Sequence, residues 1–562
     1  MNSPTSSTLP RNDLENDQWH DLLDSLKVLE HPVSVEGLPG ASKAYLLAQA
    51  WKHSKRPQVV ITLDQVSGET WLSDLRYFLH HEKVRVSPQF FPTWELLPYE
   101  PLSPFSEVSG ERLATLNGLL ENHCPILVVP VEAVLQYLMP RSSLRNLTYD
   151  VQKGQTLDRE VFEMCLVDNG YTRSHLVEER GQFSSRGDIL DVFQSHQSHP
   201  IRIEFFGDEI ESIRKFEVSS QVSIEDCDQV KVLPIRELCL TEKDLQGGVN
   251  KILQYGRDHE VNSSRFDELV EKLRNLKSFS GMEMLAPFFF EKKESLFDYF
   301  PENTLIVLDD LGLLKEKCDQ FEELVHEEYH RCMDRGDVAA EPDHLYLTTK
   351  IFLKEIQSRP HVILNTLKVS DDGETSKRFQ VKPIPSFQGK FDLFAHHAGE
   401  WIDKGNEVSV AAPTKGHVHR MNELLVDKEL NLPVELGFIS QGFQFPGMKT
   451  IFVAEHEIFG RTHKHRHRRK SRSMPFQRGF KDLKEGDLLV HVDYGIGQYT
   501  RTKELTTGIG GGEFLEIFYA DDQKLYIPMD GLASIQKYVG GGEENPPLSQ
   551  LGGSQWKRQK KK

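Results

Sequence analysis

Lys43 is the residue of this sequence best placed to do chemistry. It lies in "SVEGLPGASKAYLLAQAW", residues 34–51, where a short apolar strand runs into a glycine turn and a helix follows. That order is the setting of a phosphate-binding loop, whose pattern is G-x-x-x-x-G-K-[ST]. In such a loop, backbone N–H groups cradle the phosphates, the lysine neutralises them, and a Ser or Thr hydroxyl holds magnesium. Gly37 and Lys43 fit the pattern, but Ser42 stands where the second glycine belongs and Ala44 where the hydroxyl belongs. Ser42 adds a Cβ where backbone must approach phosphate, and Ala44 removes the metal-ligating oxygen. A second echo is "TLIVLDD", residues 304–310, an apolar run ending in Asp309 and Asp310. It resembles the strand that carries the metal-orienting Asp of such ATPases. The preferred expectation is a retained fold with a dead site, and the alternative is residual nucleotide binding.

A second constellation is "GYTRSHLVEERGQFSSRGDILDVF", residues 170–193, where Arg173, Arg180 and Arg186 crowd around Phe183. Arg and aromatic residues anchor protein interfaces. The same residues also suit ordinary surface pairing with Glu178 and Glu179, and composition leaves both readings open. A third is "RTHKHRHRRKSR", residues 461–472, with seven Lys/Arg and three His. It suits phosphate contacts or a solvated spacer, and no physiological metal site is expected there. The stretch 483–540 holds no Ser/His/Asp grouping and no obvious carboxylate pair. Its features are glycine turns and an exposed-looking arm, "TKELTTG", residues 502–508. An unpaired edge strand there could add to a partner's sheet. No catalytic residue is expected in the chain.

The elements that must position these residues follow from the hydrophobic pattern. The 562 residues suit several domains. With 38% hydrophobic and 27% charged residues, the composition fits globular cores. No apolar run is long enough to span a membrane, and the polar N-terminus has no signal-peptide core, so a cytoplasmic protein without membrane contact is expected. The six cysteines form no CxxC pair, which argues against a zinc module and fits a reducing compartment. A net charge of −18 makes the chain a poor general DNA binder. From about 30 to 145, apolar runs such as "QVVITL" and "PILVVP" alternate with helical patterns, which predicts a parallel sheet. At 148–232 the rhythm changes to an α+β insert, whose "IRIEFFGDEIESIRKF" reads as a hairpin turning at Gly207-Asp208. The first domain is expected over 25–147 and again over 233–345, and a second small α/β domain over 346–460. A basic linker at 461–478, a small β-barrel at 479–541, and disordered ends at 1–24 and 542–562 complete the expected organisation.

With these residues in hand, the sequence resembles the N-terminal part of the bacterial transcription-repair coupling factors, from about residue 25 to 556. The resemblance rests on "FFPTWELLPYEPLSP", "SGERLATL", "RGDILDVF", "IRIEFFGDEIESIRKF", "HEIFGR" before a basic run, and the last β unit. Residues 25–345 resemble the damage-recognition protein UvrB in its first domain and its UvrA-binding insert. The unit at 479–541 resembles the RNA polymerase-interacting domain shared with CarD-like regulators. The resemblance implies an α/β multidomain protein with a degenerate P-loop domain, the insert, a second small α/β domain and a CarD-like barrel. It also implies a factor that binds stalled RNA polymerase and recruits UvrA for nucleotide excision repair. By motif position, Arg173 and Arg186, with Phe183 between them, match the UvrA contact, while Ser184 stands where UvrB-like sequences carry a further Arg. Lys503, Glu504 and Leu505 match the strand that pairs with the polymerase β subunit, with Leu505 as its apolar anchor. The family continues into an ATP- and magnesium-dependent DNA translocase, a hydrolase of helicase type. This sequence ends at Lys562 before any such motif, so the expectation is an adaptor that is not itself an enzyme, holds no cofactor and touches DNA weakly. The alternatives are a translocase-type enzyme with the motor supplied, and a CarD-like transcription regulator.

Overall fold

The computed structural model describes residues 11–29, 31–240, 242–259, 261, 264–275, 279–365, 376–460, 485–491, 494–507, 510–520, 523–528, 535–537 and 548–549. The expected linker at 461–478 lies outside these residues, as do residues 1–10 and all of the expected tail but 548 and 549.

The first domain is built on a seven-stranded sheet. Its order is Ser376–Arg378, Val33–Glu36, His361–Asn365, Leu305–Asp309, Gln58–Thr62, Ile126–Pro130 and Gln89–Phe90. Every neighbouring pair is parallel. The strands Val33–Glu36, Gln58–Thr62, Ile126–Pro130 and His361–Asn365 are buried throughout, as a sheet covered by helices on both faces requires. Two of these strands correct the expected domain boundary. His361–Asn365 sits between Val33–Glu36 and Leu305–Asp309, and Ser376–Arg378 forms the edge, so the first sheet continues well past residue 345.

The N-terminus also departs from the expectation of disorder over 1–24. Arg11–Lys27 is an α-helix. Trp19, Leu22, Leu23 and Leu26 are buried, at the i, i+3, i+4, i+7 spacing of one helix face. Trp19 stacks on Tyr45 and meets Phe379 and Phe445 edge-on. The helix therefore joins the first domain to the second.

The insert carries a six-stranded sheet in the order Ser223–Cys227, Glu209–Phe216, Ile201–Phe206, Ile189–Val192, Gln182–Arg186, Thr172–Arg173. Its own core gathers Phe162, Leu166, Phe183, Leu190, Ile203 and Phe205. The second α/β domain has a five-stranded mixed sheet with Glu407–Ala412 and Thr450–Ala454 at its centre. Residues 488–537 form a five-stranded antiparallel sheet in the order Lys524–Pro528, Gly510–Phe518, Gly495–Thr507, Leu488–His491, Ile535–Lys537. Among the described residues these pairings form a single row, in the region where a small β-barrel was expected over 479–541.

Candidate functional site

The loop at 37–44 keeps the placement of a phosphate site. It connects the strand Val33–Glu36 to the helix Ser42–Ser54, at the C-terminal end of a parallel sheet. Gly37 has a φ of 81° and Gly40 one of 55°, both in the left-handed region glycine favours. The interior of the loop is nevertheless filled. Lys43 Nζ donates to Asp309 Oδ1 at 2.6 Å, and Trp71 Nε1 donates to Asp309 Oδ2 at 2.7 Å. Ser42 turns its hydroxyl back onto the carbonyl of Pro39, and Ala44 is buried. A Cβ added at Gly37 would lie 2.1 Å from the carbonyl oxygen of Phe379, and one at Gly40 would lie 2.6 Å from Gln441 Oε1. The four sequence-selected residues are thus together, but the lysine has a carboxylate in place of a phosphate.

Gln441 belongs to a segment of the second domain that is latched to the first. Ser440 donates through both its backbone N–H and its hydroxyl to Asp74, each at 2.6 Å. Burial pushes the Asp74 carboxyl up to about 7, against the lowering effect of those two bonds. Gly442 N–H donates to buried Glu457, which burial likewise pushes up to about 7. Nearby, His81 Nδ1 meets Glu435 at 2.9 Å, and that hydrogen bond raises the imidazole pKa. No motif announced this latch, because it joins residues more than 350 positions apart.

In the insert, the structure separates the three residues the sequence grouped. Phe183 is fully buried in the insert core and cannot touch a partner, which corrects its assignment as a contact residue. Strand alternation is the reason: Phe183 and Arg186 are an odd number of residues apart on the strand Gln182–Arg186 and face opposite sides. Arg173 and Arg186 each leave 46% of the side chain exposed. Arg173 pairs with Glu163 at 3.3 Å. Arg186 pairs with fully buried Asp191 at 2.9 Å, and Arg202 grips the same carboxylate through two bonds of 2.7 and 2.9 Å. Arg159 links these neighbourhoods: it pairs with Glu163 at 3.6 Å and donates to the carbonyl of Gly187. Arg180 instead pairs with Glu107 of the first domain, and its guanidinium lies over Phe193. Sequence reasoning missed Arg159 and Arg202, whose partners become visible only once the strands are in register.

In the last unit, Lys503, Glu504 and Leu505 lie together on the strand Gly495–Thr507. This strand pairs with Leu488–His491 only from Gly495 to Gln498, whereas its pairing with Gly510–Phe518 runs to Thr507. Among the described residues, Arg501–Thr507 therefore has a strand on one side only. Lys503 Nζ lies 5.8 Å from the centre of the Tyr526 ring. The base of the arm is fixed by Glu516, which accepts from Arg501, Lys524 and Tyr526 at 2.9, 2.9 and 3.0 Å. Those donors hold its carboxyl down to about 2.

Among the described residues no cluster of His, Cys, Asp and Glu could hold a metal ion, and no helix is long and apolar enough to cross a membrane. The family model of the UvrB interaction domain matches residues 149–238. The model of the CarD-like/TRCF RID domain matches residues 483–539. A transcription-repair-coupling factor of Myxococcus xanthus is 31% identical over 579 residues, covering 94% of this chain and 47% of that protein. Its counterpart in Bacillus subtilis is 26% identical over 577 residues, covering 98% of this chain and 48% of that protein. The chain thus spans about half the length of the curated relatives it matches. Over nearly its whole length, the chain matches the N-terminal part of transcription-repair-coupling factors.

Proposed function

We propose that this chain is an adaptor in transcription-coupled DNA repair, which holds RNA polymerase with its last β unit and UvrA with its insert. The observation that carries this reading is the presence, on one chain, of a UvrB interaction domain at 149–238 and a polymerase-interacting type of domain at 483–539. The one-sided strand Arg501–Thr507 supports docking by strand addition to the polymerase β subunit, where backbone bonds give affinity and side chains choose the partner. In this reading Leu505 is the apolar anchor of that contact, flanked by Lys503 and Glu504, and the unit is CarD-like. Half-exposed Arg173 and Arg186 supply the cationic contacts to UvrA. The loop at 37–44 binds neither ATP nor magnesium and turns nothing over. That part of the reading is supported by the Lys43–Asp309 pair and by Gln441 packed on Gly40. DNA contact by this chain is weak, in keeping with its net charge of −18.

Pull-downs with the purified chain test the reading. Wild type is expected to retain both UvrA and the β subunit. The double variant Arg173→Glu with Arg186→Glu is expected to lose UvrA alone, and Leu505→Arg the β subunit alone. Retention of the β subunit without any UvrA by the wild-type chain would favour a CarD-like transcription regulator instead.

A further inference from the structure

Phe183 lies in the insert core, so the arginines at the proposed docking surface lack the aromatic neighbour that the sequence suggested. The structure supplies another. We propose that Phe206 is the apolar anchor of this surface. It would seat in an apolar pocket of a protein partner whose carboxylates meet Arg159, Arg173 and Arg186. The proposal rests on the reading of the insert as the UvrA-binding module and names the contact that would fix its affinity.

Phe206 ends the strand Ile201–Phe206, where alternation turns Ile201, Ile203 and Phe205 into the core and Arg202, Glu204 and Phe206 outward. It is 79% exposed, the most exposed of the large apolar side chains among the described residues. A lone exposed apolar residue is ordinary on a protein surface; the position of this one is not. The backbone N–H of Phe205 donates to the carbonyl of Asp188 at 2.8 Å, beside the turn that carries Arg186. On its other flank, Leu157 N–H donates to the carbonyl of Asp208 at 2.8 Å, two residues before Arg159. Arg159 reaches back to the Gly187 carbonyl and shares Glu163 with Arg173. The hairpin tip is therefore tied on both sides to the segments that bear the arginines.

The backbone that carries the ring is paired up to the tip. The hairpin pairs from Ile201 to Phe206 against Glu209–Phe216, and its tip turns at Gly207, with a φ of 63° and open space around it. An aromatic on a rigid tip loses little conformational freedom on docking. Aromatic and Arg side chains together are the residue types that dominate interface energetics. Asp188, Asp208, Glu209 and Glu211 lie around the tip in sequence and pairing, so a uniformly anionic phosphate backbone would be repelled there, whereas a protein can set its carboxylates at the arginines and keep them away from the tip. A protein surface with carboxylates set beside an apolar pocket matches both the ring and the guanidinium groups.

The test titrates UvrA against the full chain by biolayer interferometry, with thermal melts alongside. Phe206→Ala is expected to weaken binding about tenfold or more with an unchanged melting temperature, and Phe206→Trp to retain it. Wild-type affinity in Phe206→Ala, with binding lost in Arg173→Glu plus Arg186→Glu, overturns the anchor and leaves the module reading intact. No UvrA binding by wild type, or no loss in either variant, overturns the module reading and the anchor with it. Loss of binding only together with a lowered melt assigns the ring to folding and overturns the anchor. So does a change confined to self-association in sedimentation velocity.

Discussion

Lys43 and Arg186 are both paired with an aspartate, yet the two pairs differ in what remains when the cation leaves. Asp309 would keep one neutral donor, the Trp71 N–H, at a site where Lys43 is only 10% exposed. Asp191 would keep the two-bond grip of Arg202. A buried carboxylate without a cation is costly, and one that stays paired is not. Lys43 is therefore bound into the fold, while Arg186 can turn to a partner's carboxylate and leave its own counter-ion satisfied. The availability of a basic residue depends on its counter-ion's other partners as much as on its own exposure.

The largest effect expected from this comparison is on partner binding. Arg173→Glu with Arg186→Glu places two carboxylates where the proposed contact needs cations, and UvrA affinity is expected to fall about 100-fold or more. Isothermal titration measures it, and a fall of less than threefold would place the contact elsewhere. Leu505→Arg comes next, on the polymerase side. Burial of a leucine is worth roughly 1.5–3 kcal/mol, so the β-subunit affinity of the full chain is expected to fall about tenfold or more. Unchanged binding would remove Leu505 from that edge.

Stability separates the two cations more directly. Lys43→Ala is expected to destabilise the first domain by roughly 1–3 kcal/mol, and Arg186→Ala by under about 1 kcal/mol. Urea denaturation read at equal m-values checks this, and equal costs would break the comparison. The smallest effect concerns pH at the latch. Asp74 has a folded pKa raised to about 7 by burial, so its contribution is complete below the ordinary Asp value and is lost as pH rises through about 7. His81, raised by its bond to Glu435, acts in the same direction. The melting temperature of the first domain is expected to fall from pH 6 to pH 8.5. Asp74→Asn, which still accepts from Ser440 N–H, is expected to flatten that slope; an unaltered slope would show that Asp74 does not titrate there.

How much of this was legible in the sequence depends on the distance over which each feature acts. Ser42 and Ala44 could be read as departures from the phosphate-loop pattern because the motif is local. The pattern of "IRIEFF" already placed Phe206 outward and Phe205 inward, since strand alternation is local too. The same alternation in "QFSSR" puts Phe183 and Arg186 on opposite faces, and attending to composition instead misassigned Phe183. Trp19, Leu22, Leu23 and Leu26 carried the helical period, but the polar residues between them suggested disorder. Other features were not legible at all. Nothing in "HVILN" says that it joins the first sheet between two strands far away in the chain, which moved the domain boundary. The approach of Gln441 and the Phe379 carbonyl to the loop at 37–44 is likewise a product of tertiary packing.

In the proposed function, this one chain joins two partners without using a nucleotide. Polymerase fixed to a sensor surface, exposed to UvrA with and without the chain and with ATP withheld, tests it most directly. Capture of UvrA is expected only when the chain is present, and is expected to vanish with either Leu505→Arg or Arg173→Glu plus Arg186→Glu. Capture that requires ATP and is lost in Lys43→Ala would mean instead that the loop at 37–44 works with bound nucleotide.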